Sequence, residues 1–495
     1  MNKSTDKSSD RDICGIYGNN SAQKMGRVMI AGTASGCGKT TVVCGILAAL
    51  KARGLKVCSF KCGPDYIDPM FHRSAIGIPS YNLDPWFYDA EGLNLCCGAM
   101  SGGSDISIIE GVMGYYDGLG FTSACSSYQV AADTRTPVVL VVDAAGMGCS
   151  SIATIEGFLN HDPGFASDGM RDNNIRGVIF NRMPKRLYPE AEKKVRALGI
   201  LPLGFLPRCE DIHIDSRHLG LVTPDGSRSG SSGTDEKLRR LSLLVNDTID
   251  LDGILNLASS ATPLIRRQPG LPFTAMTGEA GHRIAIAQDP AFCFFYPQDA
   301  MLLEELGCEL VHFAPAKGEA LPEGIGGLIL PGGYPELYAK EIASNTGFLR
   351  ELKEAVFKGL PTIAECGGFM VLHDGIEAED GTIYPMAGVV RGCCNKGNSL
   401  RHFGYLTLTA ADDGLLAAAG DVLKGHEFHY WSSQNPGSAF SARKASNSMS
   451  WDTGYSTKNL YAGFPHIPLS ANLKAADRFV KAAAAYQKQG NIKSK

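Results

Sequence analysis

The chain is expected to fold as α/β, with two doubly wound parallel sheets, each flanked by helices. Three observations predict this. Short apolar strands alternate with helical spans through the first half. A glycine-rich loop joins the first of those strands to the first helix, the arrangement that cradles phosphate. In the second half, residues 362–372 read as a buried strand turning sharply into a helix, with Cys366 at the turn between Glu365 and a Gly-Gly pair.

At 495 residues the chain is too long for one core. Its 44% hydrophobic and 20% charged residues are ordinary for a globular protein, and a net charge of −4 argues against a nucleic-acid or anionic-membrane surface. None of the 15 cysteines forms a C-x-x-C pair, so neither a zinc framework nor a disulfide scaffold is indicated and a reducing cytoplasm is expected. No run of 18 apolar residues suggests a membrane span. The expected organisation is a disordered tail (1–26), a phosphate-loop domain (27–260), a proline-rich linker (261–281), a second domain (282–485) and a short tail (486–495).

The first strand, 27–31, runs into Gly-Thr-Ala-Ser-Gly-Cys-Gly-Lys-Thr at 32–40, and a helix is expected over 41–52. Backbone N–H groups of such a loop, with Gly36, Gly38 and Thr41, hold phosphates. Lys39 reaches the outer oxygens, and the Thr40 hydroxyl can hold Mg²⁺. Gly32 and Gly38 enclose five residues where the strict pattern has four. A second strand, 56–60, leads to Lys-Cys-Gly-Pro-Asp-Tyr-Ile-Asp-Pro-Met-Phe-His at 61–72. Its Asp65 and Asp68 are expected at the ligand-binding edge of the sheet, although a solvated loop with an Asx-turn reads the same way. A third strand, 105–109, ends on Glu110, where nucleotide-binding folds place a metal ligand. Further strands are expected at 137–142, 175–180 and 203–206, with helices at 150–159 and 189–198. Residues 223–236 read as a Ser/Gly-rich surface loop, and 236–258 as one closing helical span.

The second domain opens with strands at 283–287, 309–313 and 327–331, with a helix over 298–306. The third strand ends in Gly332 and Gly333, glycines suited to form an oxyanion hole facing Cys366. A thiol on a strand-to-helix elbow has helix N–H groups aimed at it and needs a base. Of the histidines that follow, His373 falls on the elbow helix and faces wrongly, and His402, His426 and His429 carry no assigned role. His466, after a late apolar strand, is the candidate base. Pro468 stands where a His-x-Glu pattern would place an orienting carboxylate.

The segments 32–40, 61–72 and Ile-Glu-Gly-Val-Met-Gly-Tyr-Tyr-Asp-Gly at 109–118 closely resemble cobyrinate a,c-diamide synthases, glutamine-dependent amidases of corrinoid biosynthesis. The loop spacing is also similar to dethiobiotin synthetase, whose ATP-binding fold that family shares. The second half resembles class I glutamine amidotransferases. The resemblance implies ATP as substrate and Mg²⁺ held by Thr40, Glu110 and one of Asp65 or Asp68. It implies adenine contacts at Asn181 and beyond Pro207, and acceptor contacts around Asp65, Tyr66, Asp68, Gly111, Arg217 and His218. The implied small molecules are cobyrinate, L-glutamine and ATP, with a homodimer as one assembly open to the chain. A related chemistry on Ni-sirohydrochlorin, and a non-catalytic P-loop partitioning or regulatory ATPase, are the alternatives.

Overall fold

The computed structural model describes residues 22–23, 25–161, 172–209, 231–265 and 281–493. Arg217, His218 and most of the expected linker and Ser/Gly-rich loop lie outside them. In the first half, seven strands form one wholly parallel sheet. They are β1 (Gly26–Gly32), β2 (Val57–Cys62), β3 (Ser80–Leu83), β4 (Ile106–Glu110), β5 (Val138–Asp143), β6 (Ile175–Asn181) and β7 (Leu201–Phe205). Their order is β3-β2-β4-β1-β5-β6-β7. The central strands are apolar on both sides because helices cover both faces. Strand β1 therefore sits in the middle, and the loop that follows it opens at the sheet's C-terminal edge, where chain reversal leaves a crevice.

Helix α1 (Lys39–Ala52) begins at this loop, and Val42, Val43, Ile46, Leu47 and Leu50 bury its apolar side on the sheet. The span expected as one helix at 236–258 is two, α2 (Ser231–Thr248) and α3 (Leu251–Ser259). The break has a local cause. Asp250 caps α3 by accepting from the Gly253 N–H at 2.8 Å, while its own N–H donates to Leu203 O, which draws the chain onto β7. Strand β3, not anticipated, is a four-residue edge strand too short to carry a period.

In the second half, β8 (His282–Ala287), β9 (Cys308–Phe313), β10 (Gly327–Leu330) and β11 (Thr362–Glu365) form a second parallel array. A third sheet follows, built from β12 (His373–Glu377), β13 (Ile383–Pro385), β14 (Val390–Ala410), β15 (Val422–Ser433), β16 (Phe440–Lys444) and β17 (Ser450–Thr453). It is antiparallel except where β12 runs with β14. The chain then returns through β18 (Tyr455–Thr457) and β19 (Leu460–Gly463), and β19 docks parallel to β11. That return places the residues after Gly463 beside the elbow at Cys366.

His373 does not extend the elbow helix, which ends at Val371. It opens β12, with Nδ1 on Phe369 O at 2.9 Å and Nε2 on the Ser433 hydroxyl at 2.7 Å. The closing helix (Leu473–Lys493) runs through residues expected as tail. Ala22–Gln23 pairs with Leu264–Ile265, so the edges of the expected first tail and linker form a two-stranded ribbon.

Candidate active sites in the two halves

The glutaminase-like site starts from backbone strain. Cys366 has φ 47° and ψ −102°, a conformation a non-glycine residue occupies only when its surroundings impose it. The surroundings are tight. A Cβ on Gly367 would lie 2.8 Å from Pro335 and 3.0 Å from Gly333 N, and one on Gly368 would lie 2.0 Å from Leu330 O. Only glycines let the elbow press against the Pro331–Gly333 turn. The turn is pinned by the Cys293 and Phe294 N–H groups, both donating to Gly332 O at 3.0 Å. The Gly367 N–H hydrogen-bonds the thiol, and the Gly333 nitrogen lies close to the elbow, 3.0 Å from the Cβ position of Gly367. Gly332 contributes by lacking a side chain. A Cβ there would sit 2.4 Å from His466 Cε1 and 3.4 Å from Cys366 Cβ, so both residues abut one point.

Burial pushes the Cys366 thiol well above its ordinary value, with Glu336, Glu427 and Glu365 adding to the rise. The thiol is therefore neutral at rest, and a base must take its proton as it attacks. His466 is buried beside it and has a carboxylate partner that the sequence reading did not find. Glu365 Oε2 is 3.6 Å from His466 Nδ1, while Oε1 accepts from the Ile467 N–H at 2.9 Å. The residue before the nucleophile thus supplies the carboxylate near the ring nitrogen that Pro468 cannot. Its signal was the acidic residue ending a four-residue apolar strand. Burial raises Glu336 to about 8, so it is protonated at neutral pH.

His426 stacks on His466, with centroids 4.8 Å apart and planes 8° from parallel, and its Nε2 meets the Tyr296 hydroxyl at 3.0 Å. His429 and His402 both engage Glu427, at 2.6 and 3.2 Å. His429 shares a face of β15 with Glu427 by alternation, while His402 reaches Glu427 from an irregularity in β14, where its own φ is 43°.

The nucleotide-binding side is assembled at the edge of the first sheet. Gly36 and Gly38 have φ of 75° and 91°, which only glycine adopts without cost. The Asn181 side chain donates to Cys37 O at 2.9 Å, and a Cβ on Gly38 would overlap it at 2.0 Å. Asn181 therefore props the loop from the end of β6. A cleft of about 390 Å³ is lined by Gly36, Gly38, Thr41, Asn181 and Pro207, with Leu241 and Leu244 of α2 as an apolar wall. Five of the residues expected at the nucleotide thus share one cavity, and its wall suits a base ring.

Beside it, Thr40 donates to Glu110 Oε1 at 2.8 Å, and the Lys61 ammonium lies 3.0 Å from Glu110 and 2.5 Å from Asp68. Asp65 lies further off, 4.0 Å from Lys61, with Oδ1 accepting from the Ile67 and Asp68 N–H groups. Burial, with repulsion from Asp68, raises Glu110 to about 7 and Asp65 to about 6. Lys61 and the hydrogen bond it donates hold Asp68 below the usual carboxylate range despite burial. Glu110 Oε2 and His72 Nε2 are buried without hydrogen-bond partners. The orphaned Glu110 oxygen faces His72 Nε2 at 3.6 Å; with the Thr40 hydroxyl on the other Glu110 oxygen and Lys61 joining Glu110 to Asp68, Thr40, Asp68 and Glu110 make an oxygen set that fits a hard divalent cation. Lys39 reaches the carbonyls of Ala34 and Met113.

The two sites meet through Tyr66. It sits between Asp65 and Asp68, but its ring turns to the other half, stacking on Phe294 (5.0 Å) with its hydroxyl 3.4 Å from both His426 Nε2 and His466 Nδ1.

The CobQ/CobB/MinD/ParA nucleotide-binding domain family matches residues 28–222, and the CobB/CobQ-like glutamine amidotransferase domain family matches residues 283–473. A cobyrinate a,c-diamide synthase of Caldanaerobacter subterraneus subsp. tengcongensis is 37% identical over 92% of this chain and 98% of its own. Those of Priestia megaterium and Salmonella typhimurium are each 36% identical, over 94% and 92% of this chain and 98% and 97% of theirs. The chain belongs to the cobyrinate a,c-diamide synthase family. Its two halves carry the family's nucleotide-binding and glutamine amidotransferase domains, and no helix among the described residues is long and apolar enough to cross a membrane.

Proposed function

We propose that the chain is a glutamine-hydrolysing carbon–nitrogen ligase that amidates the a and c side-chain carboxylates of cobyrinate at the expense of ATP. The observation that carries it is a strained cysteine elbow with a histidine–carboxylate pair, joined through Tyr66 to a phosphate-loop site in the same chain. The relatives' shared name supplies the acceptor, and none of those reported favours Ni-sirohydrochlorin or a partitioning ATPase.

In the glutaminase half, Cys366 attacks the glutamine side-chain amide while His466 takes the thiol proton and passes it to the departing ammonia. Glu365 holds the ring so that one nitrogen faces the reaction. The Gly333 and Gly367 N–H groups receive the developing oxyanion, and water then releases glutamate from the thioester. In the synthetase half, the loop N–H groups and Lys39 hold the ATP phosphates in line with an acceptor carboxylate. Mg²⁺, held by Thr40, Asp68 and Glu110, would neutralise charge on the transferring phosphoryl group. Lys61 keeps Asp68 ionised. Ammonia displaces phosphate from the acyl phosphate to leave the amide. Ammonia is mostly protonated in water at neutral pH, so transfer past Tyr66, directly from one half to the other, keeps it nucleophilic. A cytoplasmic setting and a homodimer accord with this reading.

Mass spectrometry of products tests it, with ATP, Mg²⁺ and glutamine offered cobyrinate and Ni-sirohydrochlorin in parallel. Two amide additions to cobyrinate are expected, lost in Cys366→Ala with glutamine and restored by ammonium. Turnover of the nickel compound alone would move the acceptor assignment, and amidation of neither would overturn it.

A further inference from the structure

Three large aromatic side chains stand half-exposed on the β14–β15 ribbon: Phe403 (52%), Phe428 (50%) and Tyr430 (47%). They touch edge to face, with centroids 5.2 Å apart for Phe403–Phe428 and 6.2 Å for Phe428–Tyr430. A contiguous exposed aromatic surface of this kind is costly to keep in water and marks a binding face. Its place in the fold narrows the occupant. Alternation along β15 puts Lys424, His426, Phe428 and Tyr430 on one face, and His426 is the member buried against Tyr66, Tyr296 and Phe87. The aromatic surface therefore continues the junction of the two sites, beginning about 7 Å along the strand from His426. On β14, Tyr405 follows Phe403 by two residues. Its hydroxyl lies 3.5 Å from where a Gly63 Cβ would be, at the start of the Asp65–Asp68 loop, and Tyr405 donates to Asp84 at 2.9 Å. From the nucleotide-binding half, the loop after Glu110 comes alongside: a Gly120 Cβ would lie 3.8 Å from Ser446 O, and the neighbouring Phe121 is fully exposed.

Two cations flank the surface. Lys424 lies over the Trp86 ring at 5.8 Å, and Lys444 reaches within 3.9 Å of the Cβ position of Gly404, at the foot of Phe403. Neither forms an ion pair among the described residues.

We propose that Phe403, Phe428 and Tyr430 form the ledge on which one flat face of the tetrapyrrole polycarboxylate acceptor rests, with Lys424 and Lys444 meeting its peripheral carboxylates. This rests on the acceptor class stated above and adds where the ring sits. A broad planar apolar face with an anionic rim complements an aromatic shelf with a cationic rim, and a substrate seated there presents its edge towards Asp65, Asp68 and Lys39. A second copy of this chain is the competing occupant.

The test compares the wild type with Phe403→Ser/Phe428→Ser/Tyr430→Ser, all exposed strand positions. Steady-state kinetics, an absorbance titration with cobyrinate and with Ni-sirohydrochlorin, and sedimentation would be run on both. The expected result is a KM and Kd for the macrocycle raised about tenfold or more, with KM for ATP and glutamine and the basal glutaminase rate unchanged, since loss of three stacking faces falls on that ligand alone. A macrocycle KM within twofold of wild type, with basal glutaminase intact, overturns the ledge. So does conversion of a dimer to a monomer with that KM unchanged, which would make the patch a chain–chain interface. A wild type that binds a tetrapyrrole on the ledge but amidates neither compound sinks the activity and leaves the ledge standing. One that amidates cobyrinate with a ledge-independent KM does the reverse, and one that binds neither overturns both. Should the triple variant lose basal glutaminase, Phe428→Ser alone is put through the same comparison.

Discussion

Cys366 is held neutral by its burial, and that has a kinetic signature. Alkylation runs through the thiolate, so below the thiol's pKa its rate rises about tenfold per pH unit. A thiol at the ordinary value of about 8.5 would level off near pH 9. Iodoacetamide inactivation of this protein is expected to keep rising past pH 9, slow at pH 7. A plateau near neutrality would instead show a preformed thiolate–imidazolium pair. Glu365 carries the second residue-scale prediction. Glu365→Gln keeps an acceptor for the Ile467 N–H, so the elbow survives, but removes the charge beside His466 Nδ1. Glutamine-dependent turnover is expected to fall on the order of 10²-fold or more, with ammonia-dependent amidation within about twofold. Equal losses in the two assays would show that Glu365 supports the fold rather than the base.

At the scale of elements, the turn at 63–66 and the short helix Ile67–Phe71 that follows it separate two carboxylates that look alike in sequence. Asp68 faces Lys61 and Glu110, whereas Asp65 spends one oxygen on the turn. Asp68→Asn is expected to cut ammonia-dependent amidation on the order of 10²-fold and to raise the Mg²⁺ concentration giving half-maximal rate. Asp65→Asn, which keeps the turn acceptor, should cost about tenfold or less. Similar losses would mean that both carboxylates serve the cation.

The loop itself was legible because its chemistry is local. Glycines at 36 and 38, a lysine and a threonine must be adjacent to wrap phosphate, and the apolar runs on either side fix strand and helix. The cysteine elbow was legible for the same reason. The third sheet was not: β14 and β15 are long strands with aromatic side chains exposed on one face, and their pairings are ones that sequence spacing does not reveal. That also hid Glu365 as partner of His466, a contact across 101 residues that exists only once β19 lies beside β11. Tyr66 was expected with Asp65 and Asp68 around the acceptor because the resemblance covers that whole segment, whereas its ring crosses to the other half, which no feature of the segment signals.

Across the whole molecule, the halves are joined by polar groups buried at their contact. Tyr405 of the second half donates to Asp84 of the first at 2.9 Å, and Trp86 N–H donates to the other Asp84 oxygen at 2.8 Å. The Tyr88 hydroxyl meets Ser470 at 2.8 Å, and the Gln298 amide donates to Asn82 O at 2.9 Å. Burial raises Asp84 from its ordinary value to about 7, more than the hydrogen bonds from Trp86 and Tyr405 lower it. A carboxyl whose folded pKa is raised binds its proton more tightly folded than unfolded. Its contribution to stability is fully present below about pH 4 and is lost as pH rises to about 7, where the protein must either ionise it in place or open the contact. Asp84→Asn removes that titration while keeping an oxygen for Tyr405. The variant should therefore gain on the wild type between pH 5 and pH 8, by roughly 2–3 kcal/mol, since about two of the three pH units over which the contribution is lost fall in that window. Thermal or urea unfolding of both proteins at the two pH values measures the difference. A gap that stays constant with pH, or one that widens towards pH 5 in the variant's favour, would show that Asp84 is ionised in the folded protein and that the halves are held together by a charge rather than by a protonated carboxyl.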